Sequence, residues 1–424
     1  VGSEMCIRDR NVRNALADGY SNAFSAIFDS NLTSIITGVI LLLFGTGPIK
    51  GFATTLIIGL VCSFFTAVYL SRLFFLWFSK TDAFNKLTFS TGLSKKMFVN
   101  AGVNFLGQRK VSFTVVAVLV AVVVISLFAR GLNQGIDFSG GRNYIVKFEQ
   151  PVNTVELQQV LAEQFPGAST SVITIESSNQ VRVSTNYKIN DENADTEREI
   201  TGKLYTALQP YLRAGMTAEE FSTTDASQGI VSSQKVGPSV ADDMRTDAYI
   251  AVAIALIAMF LYILLRFRNV AFSLGALAAV AFTAFTIIGF YSLFYGVFPF
   301  AMEVDQTFIA AILTVIGYQI NDTVVVFDRV RENTALYPKQ DFFTTINKSI
   351  NTTLSRTIMT SASTLLVLLC IFILGGDAIR SFTFAMLFGV IIGTCATIWV
   401  ACPVAYLTDS RRKATAAKAA AATR

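Results

Sequence analysis

Residues 317–332 read GYQINDTVVVFDRVRE, and Asp322 is the residue in that run least at home with its neighbours. Apolar residues lie on both sides of it, so its carboxylate sits in a stretch apolar enough to cross a membrane. Insertion scales put the cost of a carboxylate there at about 2.5–3.5 kcal/mol, so it needs a partner, water or a proton. Asn321 and Thr323 adjoin it as supporting polar groups, and Arg356, in LSRTIMTSAST, offers a cation on another helix. An Asp322–Arg356 pair would favour the ionised carboxylate. Protonating Asp322 would then release Arg356 and change how the helices pack. Two plainer readings stand beside this one. The pair could be permanent, or Asp322 could reach interfacial water while Arg356 snorkels from the start of its span. Asp328, Arg329, Arg331 and Glu332 read most simply as a charged end-cap.

The rest of the chain offers few chemical groups. Its 424 residues include no histidine, which excludes His-type zinc sites, Ser-His-Asp triads and histidine proton shuttles. Five cysteines, Cys6, Cys62, Cys370, Cys395 and Cys402, form no CxxC pair and no disulfide framework. No metal, no organic cofactor and no catalytic constellation is expected. Hydrophobic residues make up 53% of the chain and charged residues 15%, against about 25% charged in soluble domains. With a mean hydropathy of +0.53, this is an integral membrane protein by composition.

About eight stretches are apolar over the roughly 20 residues that a spanning helix needs. They are 31–45, 50–75, 111–130, 247–266, 270–297, 304–327, 357–375 and 382–407. Lys and Arg gather in alternate loops: Arg8, Arg10 and Arg13; Lys80 to Lys110; Arg266 and Arg268; Arg329 and Arg331; Arg411 to Lys413. If all eight spans cross, these loops share one side, which the positive-inside rule makes the cytoplasm, with both termini there. Residues 1–10, VGSEMCIRDR, read as either a foreign stub or an ordinary tail. The remaining divisions are 11–80, a cytoplasmic linker 81–110, a span 111–130, an outside domain 131–246, a five-helix bundle 247–408 and a basic tail 409–424.

Within 131–246, NYIVKFE, STSVITIES, QVRVSTNY and GIVSSQKVG alternate as strands, and 154–165 and 195–213 have helical periodicity starting from Asn153 or Thr154. The order β-α-β-β-α-β predicts a ferredoxin-like α+β domain, a binding or lever module more than an enzyme. The membrane part repeats itself. A shift of 330 residues places Gly45 on Gly375, Ile49 on Ile379, Lys50 on Arg380, Phe52 on Phe382 and Ser25 on Ser355. The two copies run in the same direction. If the second copy has six spans, the first retains two, and an N-terminal portion with four more spans is expected upstream.

Several strings resemble one family. GIDFSGG (Gly135, Ile136, Asp137, Phe138, Ser139, Gly140, Gly141), RFRN at 266–269 and AAILTVIGYQINDTVVVFDRVREN at 310–333 look like SecF. NLTSIITGVILLLFGTGPIKGFATTLIIG at 31–59 looks like the end of SecD. The order resembles fused SecDF proteins of the resistance–nodulation–division superfamily. The resemblance implies an accessory of the Sec translocase in the bacterial inner membrane, driven by a proton or sodium gradient. Implied partners are SecYEG, SecA, unfolded secreted polypeptides, YidC, YajC and membrane lipid, but no nucleic acid. By motif match, Asp322 corresponds to the family's ion-path carboxylate and Arg356 to its nearby arginine. The His-Asp pair usual in the span after RFRN is replaced here by Phe282 and Thr283.

Overall fold

Among the described residues, eight runs of apolar sequence fold as eight long helices, each able to satisfy its own backbone in a lipid medium. A computed structural model describes residues 12–79, 102–175, 177–191, 193–223, 228–298, 300 and 302–422. The candidate spans are Leu16–Phe44, Ile49–Phe78, Arg109–Arg130, Pro238–Phe267, Val270–Phe294, Gln306–Leu336, Phe342–Leu374 and Ile379–Lys413, here the first to the eighth. The expected count holds, but several helices are longer than their apolar cores. The first helix begins at Val12, the fourth at Pro238 and the seventh at Phe342. Their polar first turns lack the hydropathy of a span yet continue the same backbone hydrogen bonding. The predicted stub and most of the predicted linker lie outside the described residues. The end of that linker, from Val103, docks on the seventh helix through Asn347 and Asn351, with Phe105 and Leu106 buried.

The sixth span is the core of the bundle, with 72% of its apolar window buried. Small residues let the other spans approach it and one another. A Cβ on Gly389 would meet Val315 at 2.7 Å and Ile287 at 2.9 Å, and one on Gly289 would strike Val123.

The internal repeat is visible in three dimensions. Phe52 and Phe382, matched by the 330-residue shift, touch edge to face with ring centroids 5.4 Å apart. The matched turn glycines have matched surroundings: a Cβ on Gly45 would strike the Leu41 carbonyl and Ile49, and one on Gly375 the Ile371 carbonyl and Ile379. Each long helix after the turn also widens into a π-turn near the same place, at Thr66–Leu70 and Thr397–Ala401.

The domain between the third and fourth spans has the predicted β-α-β-β-α-β order. Its elements are β1 (Gly141–Lys147), α1 (Thr154–Gln164), β2 (Thr170–Ile175), β3 (Ser177–Thr185), α2 (Ala194–Leu208) and β4 (Gly229–Val236). The sheet order is β2-β3-β1-β4, and all neighbours are antiparallel. Asn153 caps α1, its side chain accepting from the Val155 N–H at 3.0 Å. Alternate residues Tyr144, Val146 and Phe148 face Leu157, Leu161, Ile200 and Leu204 in a core separate from that of the bundle. Arg142, at the start of the central strand β1, is buried, bonded to Glu197 at 2.9 Å and to the carbonyls of Tyr187 and Asp191.

Candidate functional site

Asp322 lies near the middle of the sixth helix and is 7% exposed. It faces the seventh and eighth helices across a seam of short polar side chains. Thr360 Oγ1 donates to one carboxylate oxygen at 3.4 Å and Ser361 Oγ to the other at 3.5 Å. Ser361 also meets Thr394 of the eighth helix at 2.7 Å. The next residue, Thr323, meets Thr397 at 3.0 Å, at the start of the π-turn and about one turn beyond Thr394. Tyr318 OH accepts from Thr364 at 3.0 Å. The side-chain oxygen and nitrogen of Gln319 are both buried without a hydrogen-bond partner, pressed against Gly393.

The contacts to Asp322 are long, and charge-assisted hydrogen bonds usually close to about 2.5–2.7 Å. The carboxylate is thus held in a polar seam but not tightly satisfied there. Among the described residues it makes no ion pair. Arg356 is close enough for its charge to act on Asp322, but among the described residues it makes no ion pair either. It is exposed and sits mid-helix, because the seventh helix starts at Phe342. The two residues are therefore neighbours, not the closed pair that the sequence suggested. Thr323 joins the seam, whereas Asn321 is half-buried and makes no hydrogen bond among the described residues. Thr283 is buried and its hydroxyl is spent on the Ala279 carbonyl. The sequence reading did not find Thr360, Ser361, Thr394, Thr397 or Gln319.

It also missed an ion cluster at the charged end of the bundle. Arg266 Nε reaches Asp29 at 2.5 Å, and its Nη2 reaches Asp328 at 3.3 Å and Ser25 at 3.1 Å. Arg331 closes on the other oxygen of Asp328 at 2.9 Å. The predicted end-cap is thus partly a tie between the first, fourth and sixth helices.

At the opposite end, the GIDFSGG segment joins the domain to the bundle. Ile136–Ser139 form one helical turn, and Gly140 follows with φ +72°, a conformation that disfavours other residues. Gly135 N–H donates to the Val304 carbonyl at 3.1 Å, and Val304 N–H to the Asn133 carbonyl at 2.8 Å. Asp137 accepts from the Gln306 N–H at 3.3 Å, at the start of the sixth helix. The Gln306 side chain accepts from Thr46 at 2.7 Å, in the turn between the first two spans. Asp305 caps the sixth helix through the Phe308 N–H at 2.8 Å.

Residues 216–411 match the model described as protein export membrane protein SecD/SecF, C-terminal, and residues 125–152 match the SecD/SecF GG motif. A protein translocase subunit SecF from Rhodothermus marinus is 37% identical over 310 residues, which are 73% of this chain and 94% of that protein. The chain belongs to the SecD/SecF family of protein-export membrane proteins. A protein translocase subunit SecDF from Thermus thermophilus is 32% identical over 96% of this chain and 51% of its own length. The crystal structure of SecDF from that organism superimposes with a TM-score of 0.76 at 29% identity, covering 96% of this chain and 52% of that one. The chain thus spans about half the length of the fused SecDF relatives and nearly all of a SecF.

The GG-motif match covers the junction just described, where three carboxyl groups converge. Burial pushes Glu303 up to about 7 and Asp305 up to about 6, and it raises Asp137 as well. Asp305 and Asp137 also raise Glu303, and Asp137 raises Asp305, while Ser171 of β2 and Arg182 of β3 act against the shift on Glu303. Raised values mean that the docked junction binds protons which a detached one would release. Docking is therefore strongest below the ordinary carboxylate range and weakens as pH rises through 6 to 7. Hydrogen exchange at Gly135 and Val304, corrected for intrinsic rate, should be faster at pH 8 than at pH 5.5. Glu303→Gln should remove most of that difference. Equal protection of the wild type at both pH values would contradict this account of the junction.

Proposed function

We propose that this chain is part of an ion-driven accessory of the Sec translocase, with Asp322 as the group that takes up and releases the coupling ion. The observation that carries the reading is a buried carboxylate held by two long hydroxyl contacts and, among the described residues, by no ion pair. Such a group gains or loses a proton with little to hold either state. Arg356 supplies a nearby positive charge that favours the ionised form. The export role is taken from the relatives named as translocase subunits. With it we propose as partners those that the sequence resemblance implies: the SecYEG channel, SecA, YidC, YajC and unfolded secreted polypeptides.

The basic residues gathered at one end of the bundle support, by the positive-inside rule, a cytoplasmic location for that end and a periplasmic one for the α+β domain, in the inner membrane. The sixth helix then connects both events. It runs from the junction at Gln306 to Asp322, sixteen residues or about 24 Å at 1.5 Å per residue. A shift of that helix on protonation of Asp322 would move the domain against an emerging polypeptide.

The test is ion movement in proteoliposomes containing the export-competent protein. An imposed pH gradient should decay faster than in empty vesicles, and a sodium gradient should be compared in parallel. Dissipation no faster than in empty vesicles, for both ions, would leave a passive scaffold as the better reading.

A further inference from the structure

The seam around Asp322 is rich in hydrogen-bond acceptors and short of protons to give them. A hydroxyl carries one proton, and each hydroxyl that touches Asp322 has a nearer acceptor. Thr360 Oγ1 is 3.0 Å from the Arg356 and Thr357 carbonyls, against 3.4 Å from Asp322. Ser361 Oγ is 2.7 Å from Thr394 Oγ1, against 3.5 Å from Asp322. Thr394 Oγ1 is in turn 2.8 Å from the Val390 carbonyl. The shorter bonds therefore run from Ser361 to Thr394 to a carbonyl, away from Asp322. They leave the lone pairs of Thr360 and Ser361 beside a carboxylate that also has lone pairs only.

Gln319 brings an amide to the same seam. It stands three residues before Asp322 and so on the same face of the sixth helix. It is 2% exposed, and neither Oε1 nor Nε2 has a hydrogen-bond partner among the described residues. Its side chain lies against Gly393 of the eighth helix, where a Cβ would stand 3.3 Å from Oε1. The next residue, Thr394, is the partner of Ser361. A buried amide without partners calls for an explanation, and a proton on Asp322 supplies none, because it leaves the amide as it was. A cation with a shell of oxygens does. One carboxylate among neutral oxygens balances a single positive charge, whereas calcium and magnesium sites gather more anionic charge. The side chains closing the seam are short and in direct contact, which suits a small ion. We infer that Asp322, Gln319 Oε1 and the hydroxyl oxygens of Thr360 and Ser361 bind a sodium ion, in competition with a proton on the carboxylate. A water in the ion's shell takes the Nε2 donor. This rests on the reading of Asp322 as the coupling group and names the ion that it carries.

The probe is radioactive sodium, bound by the purified protein in detergent micelles and counted by scintillation proximity at alkaline pH, where protons compete least. Binding should saturate, and unlabelled sodium should displace the label where an equal concentration of potassium does not. Asp322→Asn should abolish binding. Gln319→Leu keeps the bulk of the side chain and removes both amide groups, so it should weaken binding by at least about tenfold. Its melting temperature in potassium chloride should hold or rise, because an unpaired buried amide is gone. A merely structural glutamine would instead lower the melting temperature and leave the sodium affinity of the folded protein unchanged, which would overturn its place in the site. No saturable binding, or displacement by potassium as good as by sodium, would overturn the sodium site itself. Proteoliposomes separate this from the broader reading. A pH gradient that still decays through Asp322 without sodium binding overturns the sodium site and leaves the coupling role standing, whereas movement of neither ion removes both.

Discussion

Replacing Asp322 with Asn should abolish gradient-dependent export, a loss of at least tenfold, while the protein inserts and folds normally. The two side chains have nearly the same shape; the amide oxygen can still accept from one of the hydroxyls of Thr360 and Ser361, now 3.4 and 3.5 Å from the two carboxylate oxygens, while the amide N–H donates to the other, which a hydroxyl can accept. What Asn cannot do is carry a charge that comes and goes. Removing a buried carboxylate whose contacts are this long takes away a desolvation penalty and little bonding, so the melting temperature should hold or rise. The energetic scale is adequate. A potential of 100 mV is worth about 2.3 kcal/mol per elementary charge, which biases a two-state helix packing by about 50-fold. Export in membrane vesicles, measured with and without an imposed gradient, checks this. A variant that keeps its gradient response would remove Asp322 from the coupling role. One that loses export together with its folded state would show a structural carboxylate instead.

Arg356→Gln should act on the same step but more weakly. The arginine is exposed and acts on Asp322 only through space, so its removal should weaken the gradient response by less than Asp322→Asn does and not eliminate it, measured in the same export assay.

Asp322 was legible in the sequence because a carboxylate inside an apolar run has no ordinary explanation. Its immediate partners were not. Thr360 and Thr394 also bond to carbonyls of their own helices, as hydroxyls in spans commonly do, so nothing in their sequence marks those that turn toward a carboxylate. The sheet was readable strand by strand, since alternation puts one face of each strand in the core. The repeat was readable because two tight turns need the same glycine and the same following isoleucine. Helix ends were less so. The segment NKSINTTLSRT looks polar, yet it lies inside the seventh helix, where Ile346, Ser349, Ile350 and Thr353 are buried against the bundle. Placing Arg356 near a span end was a consequence of that hidden extension.

The cluster around Arg266 was illegible because its members are 237 residues apart in the chain, and its rupture should be the most damaging single change to stability. Arg266 is one cation between two carboxylates, and the side chains of Arg266, Asp29 and Asp328 are 18%, 8% and 25% exposed. Arg266→Ala leaves Asp29 buried without a cation and Asp328 with Arg331 alone. Removing one partner of a buried pair costs about 3–5 kcal/mol, because the other charge stays behind. In a chain of this size the melting temperature in detergent should fall by roughly 5–15 °C. The repeat indicates where the damage will appear. Position 359, which the 330-residue shift matches to Asp29, is an exposed Met, so the second copy has no equivalent cluster to compensate. Without Arg266 the first helix should loosen from the fourth and sixth, and proteolysis or hydrogen exchange should detect this in the first helix before the rest of the bundle. Arg266→Met combined with Asp29→Asn removes the stranded charge as well, and at least half of the lost stability should return. If the double variant melts no higher than Arg266→Ala, the deficit comes from packing around the arginine stem and not from the unpaired carboxylate.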